Sequence, residues 1–173
     1  MKIGFYLLGE KGYNVLAGFI NEFGIQSVCF VMIGEDKNIA DDYSEKINRL
    51  TKLYSIPTFS RKEEVNLESD YSFSIGWRWL IDTKNLIVFH DSLLPKYRGF
   101  SPLVNMLING ENHLGVTALL AVSEYDKGPI VMQDKISINY PMEIQKAIEL
   151  VSELYLKLVI SIAQLIKSKS TIP

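Results

Sequence analysis

The 173-residue sequence predicts an α/β fold: an open, mostly parallel, doubly wound (Rossmann-like) sheet of about seven strands, with flanking helices and a long C-terminal helix. Three observations predict it. Apolar runs of strand length alternate with stretches of helical periodicity, the opening reads strand-helix-strand-helix, and one broad apolar stripe runs from Ile144 to Ile162. Residues 2–8 read as a buried strand, and Gly9-Glu10-Lys11-Gly12 then turns into a helix whose Val15, Leu16, Phe19, Ile20 and Phe23 recur at helical spacing. Gly24 is placed to end that helix as a left-handed cap. Residues 27–33 form a second buried strand, and Tyr43, Ile47, Leu50 and Tyr54 give the stripe of a second helix before Pro57. Residues 71–75 and 86–89 read as further strands. Ser101-Pro102 is an N-cap and first-turn pair for the helix carrying Leu103, Met106 and Leu107, which stops at Asn109-Gly110. Two strands follow, residues 115–122 and 130–138, and Pro141 opens the final helix.

Composition narrows the function classes. The chain reads as a single domain over residues 1–173, without internal repeat, low-complexity tract or interdomain linker. Eighteen basic and twenty acidic residues give a net charge of -2. That balance supplies no basic field to hold a nucleic-acid backbone, so nucleic acid is excluded as an expected partner. Cys29 is the sole cysteine, so no internal disulfide and no thiolate set for zinc is available. Within its apolar run it reads as a buried structural thiol, in keeping with a reducing cytoplasm. The first apolar run is too short for a signal sequence or a membrane span. The expectation is a cytoplasmic protein with no membrane attachment and no metal.

Two residues stand where chemistry is expected. His90 directly follows the strand of residues 86–89, at the carboxyl end where doubly wound sheets bind ligands, although a histidine there also caps a strand end. Asp126 lies in the polar segment 124–129, either as a turn aspartate or as a functional carboxylate. Gly12, Tyr13 and Asn14 occupy the first strand-to-helix turn, where backbone N–H groups and the helix dipole favour an anion, as well as being an ordinary tight turn. After His90, Ser92 and Lys96 are candidate substrate contacts, and Lys96, Tyr97 and Arg98 either touch a phosphorylated substrate or form a solvated loop. His113 reads as a surface residue in a polar connection.

Three segments, HDSLLPKYRG, NGENHLGVTALL and YDKGPIVMQ, resemble in sequence, order and spacing those that define the folate-dependent formyltransferases. His90 and Asp126 fall on the catalytic histidine and aspartate of that family, 36 residues apart (126 − 90). The resemblance runs from Met1 to about Ile138 and implies the formyltransferase fold. It also implies an activity, transfer of a formyl group from 10-formyltetrahydrofolate to a primary amine through a tetrahedral intermediate. His90 would act as general base, and Asp126 would orient the ring, favour its charged form or position a relaying water.

By the same resemblance Arg78, Trp79 and Leu80 line one side of the pterin pocket and Ser123, Glu124, Tyr125 and Asp126 the other, the competing reading of residues 76–81 being a helix start packed by two tryptophans. Gly12, Tyr13 and Asn14 resemble the substrate-phosphate loop of the glycinamide ribonucleotide branch, one residue longer. The segment after the histidine is similar to the sugar-modifying branch, so the expected acceptor is an amino sugar, alone or nucleotide-linked. Partners are then folate and a small-molecule amine. The alternatives are a glycinamide ribonucleotide formyltransferase, a formyltetrahydrofolate hydrolase and a non-catalytic folate or nucleotide-sugar binding domain. The family's carboxyl-terminal accessory domain has no counterpart here, so any homodimer would have to form through this domain, for example its final helix.

One position departs from the pattern: the family asparagine two residues before the histidine is Val88. Residues two apart in a strand share a face, so a methyl-bearing side chain stands where an amide would stabilise an oxyanion. Asn85 lies about 16 Å along the strand from His90 and is no substitute. Asp91, Ser92, protonated His90 or a backbone N–H are the candidate replacements.

Overall fold

A computed structural model describes residues 1–170 and 172. Its seven strands form a mostly parallel sheet, as the alternation of elements predicts, and the chain divides into two compact units, Met1–Ile87 and Val88–Pro173.

In the first unit, β1 (Ile3–Leu7), β2 (Val28–Ile33), β3 (Thr58–Ser60) and β4 (Tyr71–Ile75) lie in the order β3-β2-β1-β4, all parallel. Helix α1 (Gly9–Phe23) packs on β1 and β4, and α2 (Ser44–Leu53) on α1 and β2. The predicted α1 stripe is the buried one, with Phe19 edge-on to Phe5 at 4.9 Å. All five residues of β1 are buried, Phe5 against Phe19 of α1 and Tyr6, on the opposite face, against the rings of Phe30 and Trp77, and that explains a run with no polar alternation. The helix starts three residues before the glycine expected to end the turn. Gly12 is therefore inside its first turns, and a Cβ there would come within 3.0 Å of Leu7 Cβ. Gly24 has positive φ (77°) with ψ 159°, outside the left-handed helical region, and its N–H returns to Ile20 O. In α2 the buried positions are Ile47 and Thr51, one turn apart, while Tyr43 sits at the N-cap and Tyr54 is exposed. Strand β3 has no counterpart in the sequence reading. Its three residues are too short for a pattern to register.

β5 (Leu86–His90) spans the division between the units. In the second unit the strand order is β5-β6-β7, with β6 (His113–Leu120) and β7 (Ile130–Ser137) antiparallel. α3 (Pro102–Ile108) and α4 (Ile144–Lys167) complete it. Pro102 takes the first-turn position expected of it, but Ser101 has a left-handed backbone (φ 52°) and makes no side-chain cap. α4 opens at Ile144 rather than Pro141, and Glu143 at its N-cap makes no side-chain bond either. A cap contributes about 1 kcal/mol. Burying Val151, Leu158, Val159 and Ile162 contributes about 1.5–3 kcal/mol each, so packing on β6 and β7 decides where this helix lies. His113 belongs to β6 rather than to the connection before it, and its Nδ1 lies 2.5 Å from Asn112 Oδ1.

Cys29 is half-buried, its thiol 3.4 Å from Glu68 O, and partial burial pushes the thiol pKa up. Among the described residues no group of three or more metal-ligating side chains assembles, and no helix is long and apolar enough to cross a membrane.

Candidate functional site

His90 ends β5, and its side chain is 10% exposed. Four loop contacts define its setting, all within the second unit. The ring Nε2 lies 2.8 Å from the carbonyl of Tyr97. A carbonyl only accepts, so in the neutral ring the proton sits on Nε2 and the lone pair on Nδ1. Nδ1 faces Asp126 Oδ1 at 3.5 Å. The other oxygen of that carboxylate, Oδ2, accepts from Gly99 N–H at 2.9 Å, and Arg98 Nε donates to the Asp126 carbonyl at 3.0 Å. The aspartate is thus anchored by one oxygen and presents the second to the imidazole.

The loop that carries Asp126 is tightly constrained. Asp126 has a left-handed backbone (φ 54°), which aspartate tolerates better than most residues. Two residues on, a Cβ on Gly128 would lie 1.7 Å from Leu120 O, so only glycine fits. The turn after His90 is fixed from β6. Thr117 Oγ1 donates to Ser92 O (2.6 Å) and accepts from Leu94 N–H (3.0 Å) and Gln133 Nε2 (2.8 Å), and Gln133 stands directly opposite Thr117 in the β6–β7 pairing.

This geometry changes the role of Ser92. It is fully buried and its hydroxyl donates to Lys96 O at 2.7 Å, so it holds the turn and offers neither a substrate contact nor an oxyanion donor. Lys96 is exposed and paired with Glu111 at 3.0 Å, which raises the lysine pKa. The Tyr97 hydroxyl also donates to Glu111 (2.7 Å), and this bond, with Lys96, holds the Glu111 carboxyl below its usual range. Val88 is half-buried on the same strand face as His90, while Asn85 donates its amide to Asp70 O at 3.1 Å. Ser123, Glu124 and Tyr125 lie exposed beside Asp126, Glu124 being paired with Lys127.

The first unit holds the other predicted residues. Residues 76–81 form no helix. The Trp77 and Trp79 rings meet edge-to-face at 5.1 Å, Arg61 lies over Trp79, and Leu80 is exposed. Arg78 pairs with Asp36, whose carboxyl is held below its usual range first by the Asn38 backbone N–H and then by that arginine among others. Trp77 Nε1 is buried with no hydrogen-bond partner among the described residues. Gly12, Tyr13 and Asn14 lie within α1 rather than in a turn before it, and the Tyr13 ring packs against Tyr43 at 6.0 Å.

Sequence reading passed over Tyr155 of α4. Its hydroxyl is 3.0 Å from Phe89 O and 2.5 Å from Asp91 Oδ1. Burial first, then the carboxylates of Asp91 and Asp126, push its pKa well above the ordinary tyrosine value.

Comparison with known proteins gives one consistent answer. The family described as Formyl transferase matches residues 79–154. The methionyl-tRNA formyltransferase of Thermotoga neapolitana is 36% identical over 109 residues, which are 62% of this chain and 34% of that protein. That of Streptococcus suis is 30% identical over 140 residues, 77% of this chain and 44% of the relative. The chain therefore spans less than half the length of these curated relatives. Among solved structures, the phosphoribosylglycinamide formyltransferase from Anaplasma phagocytophilum superposes with a TM-score of 0.71 at 22% identity, over 94% of this chain and 86% of that one. An N-formyltransferase from Helicobacter canadensis, in complex with folinic acid and dTDP-3-aminofucose, superposes with a TM-score of 0.79 at 19% identity, over 98% and 65%. The resemblance to the folate-dependent formyltransferases drawn from the three motifs thus holds in the domain match, in sequence relatives and in fold.

Proposed function

We propose that this relative of the folate-dependent formyltransferases moves a formyl group from 10-formyltetrahydrofolate to the primary amine of an amino sugar, alone or nucleotide-linked. The observation that carries the proposal is the His90–Asp126 pair, its carboxylate anchored by Gly99 and its imidazole by the Tyr97 carbonyl. The folate supplies an activated formyl carbon. A bond forms from the acceptor nitrogen to that carbon, the bond to the folate nitrogen breaks, and one proton passes from the amine to the leaving nitrogen. His90 Nδ1 holds that proton in transit, directly or through a water at the carboxylate, and Asp126 offsets the charge of the imidazolium.

Two features support a sugar acceptor: the likeness of residues 90–99 to the sugar-modifying branch, and a net charge of -2 that does not favour a tRNA backbone. The identity to methionyl-tRNA formyltransferases favours a charged tRNA as the second reading. The test presents the protein and the folate donor to nucleotide-linked amino sugars, glycinamide ribonucleotide, methionyl-tRNA and water in parallel. Amide formation on the sugar, lost in His90→Asn with fold and folate binding retained, is the expected result. Activity in that variant above about a tenth of the parent removes His90 from the mechanism, and formylation of tRNA alone replaces the acceptor.

A further inference from the structure

Tyr155 sits in the apolar stripe of α4, 1% exposed, its ring 5.7 Å from that of Phe89. A phenylalanine would fill the same core space, and a buried hydroxyl is costly unless it is paired. This hydroxyl has two acceptors within reach, the Phe89 carbonyl and the Asp91 carboxylate, and they belong to the residues immediately before and after His90. Its pKa is driven up by burial and by the carboxylates of Asp91 and Asp126, so it stays a donor at every physiological pH. The charged groups around the imidazole in this unit are then Asp126 at 3.5 Å, Asp91 next in sequence, and Arg98 on the Asp126 main chain. Asp126 is fixed independently through Gly99, and the Tyr97 carbonyl fixes the far nitrogen. What remains to be fixed is the strand end that aims the ring, and the one Tyr155 proton is shared between acceptors on either side of it.

We propose that Tyr155 is a positioning residue for His90: its hydroxyl ties the main chain before the imidazole to the carboxylate after it, and so holds the ring against Asp126. The inference rests on the formyl-transfer reading only for its kinetic consequence, because the geometry of His90 is itself measurable. The chain has two histidines, so proton NMR of the imidazoles, with His113→Gln to identify the second signal, follows His90 alone. In Tyr155→Phe the imidazole signals of His90 and their pH dependence are expected to differ from the parent's. The turnover number kcat for formyl transfer should fall about tenfold while both KM values stay within about twofold. Tyr140→Phe, which removes a hydroxyl bonded to Glu111 O at 3.0 Å, should change neither.

A hydroxyl that only stabilises the core would lower the melting temperature and leave the His90 titration and kcat of the folded protein as in the parent, and that result overturns the proposal. If the parent transfers no formyl group, the NMR titration alone decides, so failure of the enzymatic reading and failure of this one are told apart. Asp91 supplies the test should Tyr155→Phe not fold. Asp91→Asn and Asp91→Ala remove the same charge, but only the amide oxygen still accepts from Tyr155. A His90 titration that differs between these two variants supports the tie, and identical titrations refute it.

Discussion

Replacing Thr117 by valine should loosen the turn that carries the candidate base, and the structure sets the size of the effect. Valine copies the shape of threonine and deletes only its hydroxyl, at a position with no solvent exposure. Three hydrogen bonds end on that oxygen. Gln133 keeps its bond to Leu94 O at 2.9 Å, so it is not orphaned. The Leu94 N–H and the Ser92 carbonyl each lose the partner they have here. A buried polar group left unsatisfied costs about 1–3 kcal/mol, so the two together cost about 2–6 kcal/mol. For a chain of this length that lowers the melting temperature by roughly 2–4 °C per kcal/mol. Unfolding followed by circular dichroism against urea and temperature measures it, with Thr117→Ser as the variant that keeps the hydroxyl. The serine variant should lie between parent and valine. A valine variant within about 0.5 kcal/mol of the parent would show that the hydroxyl does not hold this turn, and the account of how β6 fixes the segment after His90 would be wrong.

Asp126→Asn should retain the loop, since Gly99 N–H can still donate to the amide oxygen, and slow formyl transfer by about a hundredfold or more. A pH–rate profile identical to that of the parent would contradict the pairing with His90. Val88→Asn should give no gain in rate if another group already serves as the oxyanion donor, and an amide left unsatisfied on this half-buried face would lower stability by about 1–3 kcal/mol. A faster and equally stable variant would show instead that an oxyanion donor, worth ~100 to 1000-fold, is simply missing.

The alternation of buried strands and amphipathic helices was legible because each depends on its own residues. Val15, Leu16, Phe19, Ile20 and Phe23 are spaced for one helix face whatever they pack against, and that face is the buried one. Element edges were less legible. Gly9 to Gly12 reads locally as a turn, yet α1 starts at Gly9 because its close packing on β1 at Gly12 outweighs the weak helix propensity of glycine. A helix start packed by two tryptophans was the competing reading of residues 76–81, and no helix forms there. There the rings of Trp77 and Trp79 pack on each other, and Trp77 packs edge-on to Tyr6 at 5.4 Å, so tertiary contact rather than local pattern sets the backbone. The pair His90 and Asp126 could be named from spacing, but their supports could not. Tyr155 occupies a stripe position and Thr117 a strand interior, and nothing local separates a core residue with a committed hydroxyl from one without.

The substitution at position 88 narrows what can hold negative charge in this unit. Ser92 commits its hydroxyl hydrogen bond to Lys96 O, and Asp91 is an acceptor of the Tyr155 hydroxyl rather than a donor toward the site. Of the groups first considered, two remain: a main-chain N–H and the imidazolium of His90 itself. An imidazolium can fill the role only after it has taken a proton, with its second N–H already committed to the Tyr97 carbonyl. The proton accepted at Nδ1 would then face both Asp126 and the developing charge. One group would act as base and as electrophile in succession, and the orientation of its ring would matter more than in a site with a separate amide donor. A buried hydroxyl that ties down the main chain before that ring and the carboxylate after it is the kind of reinforcement such a site requires.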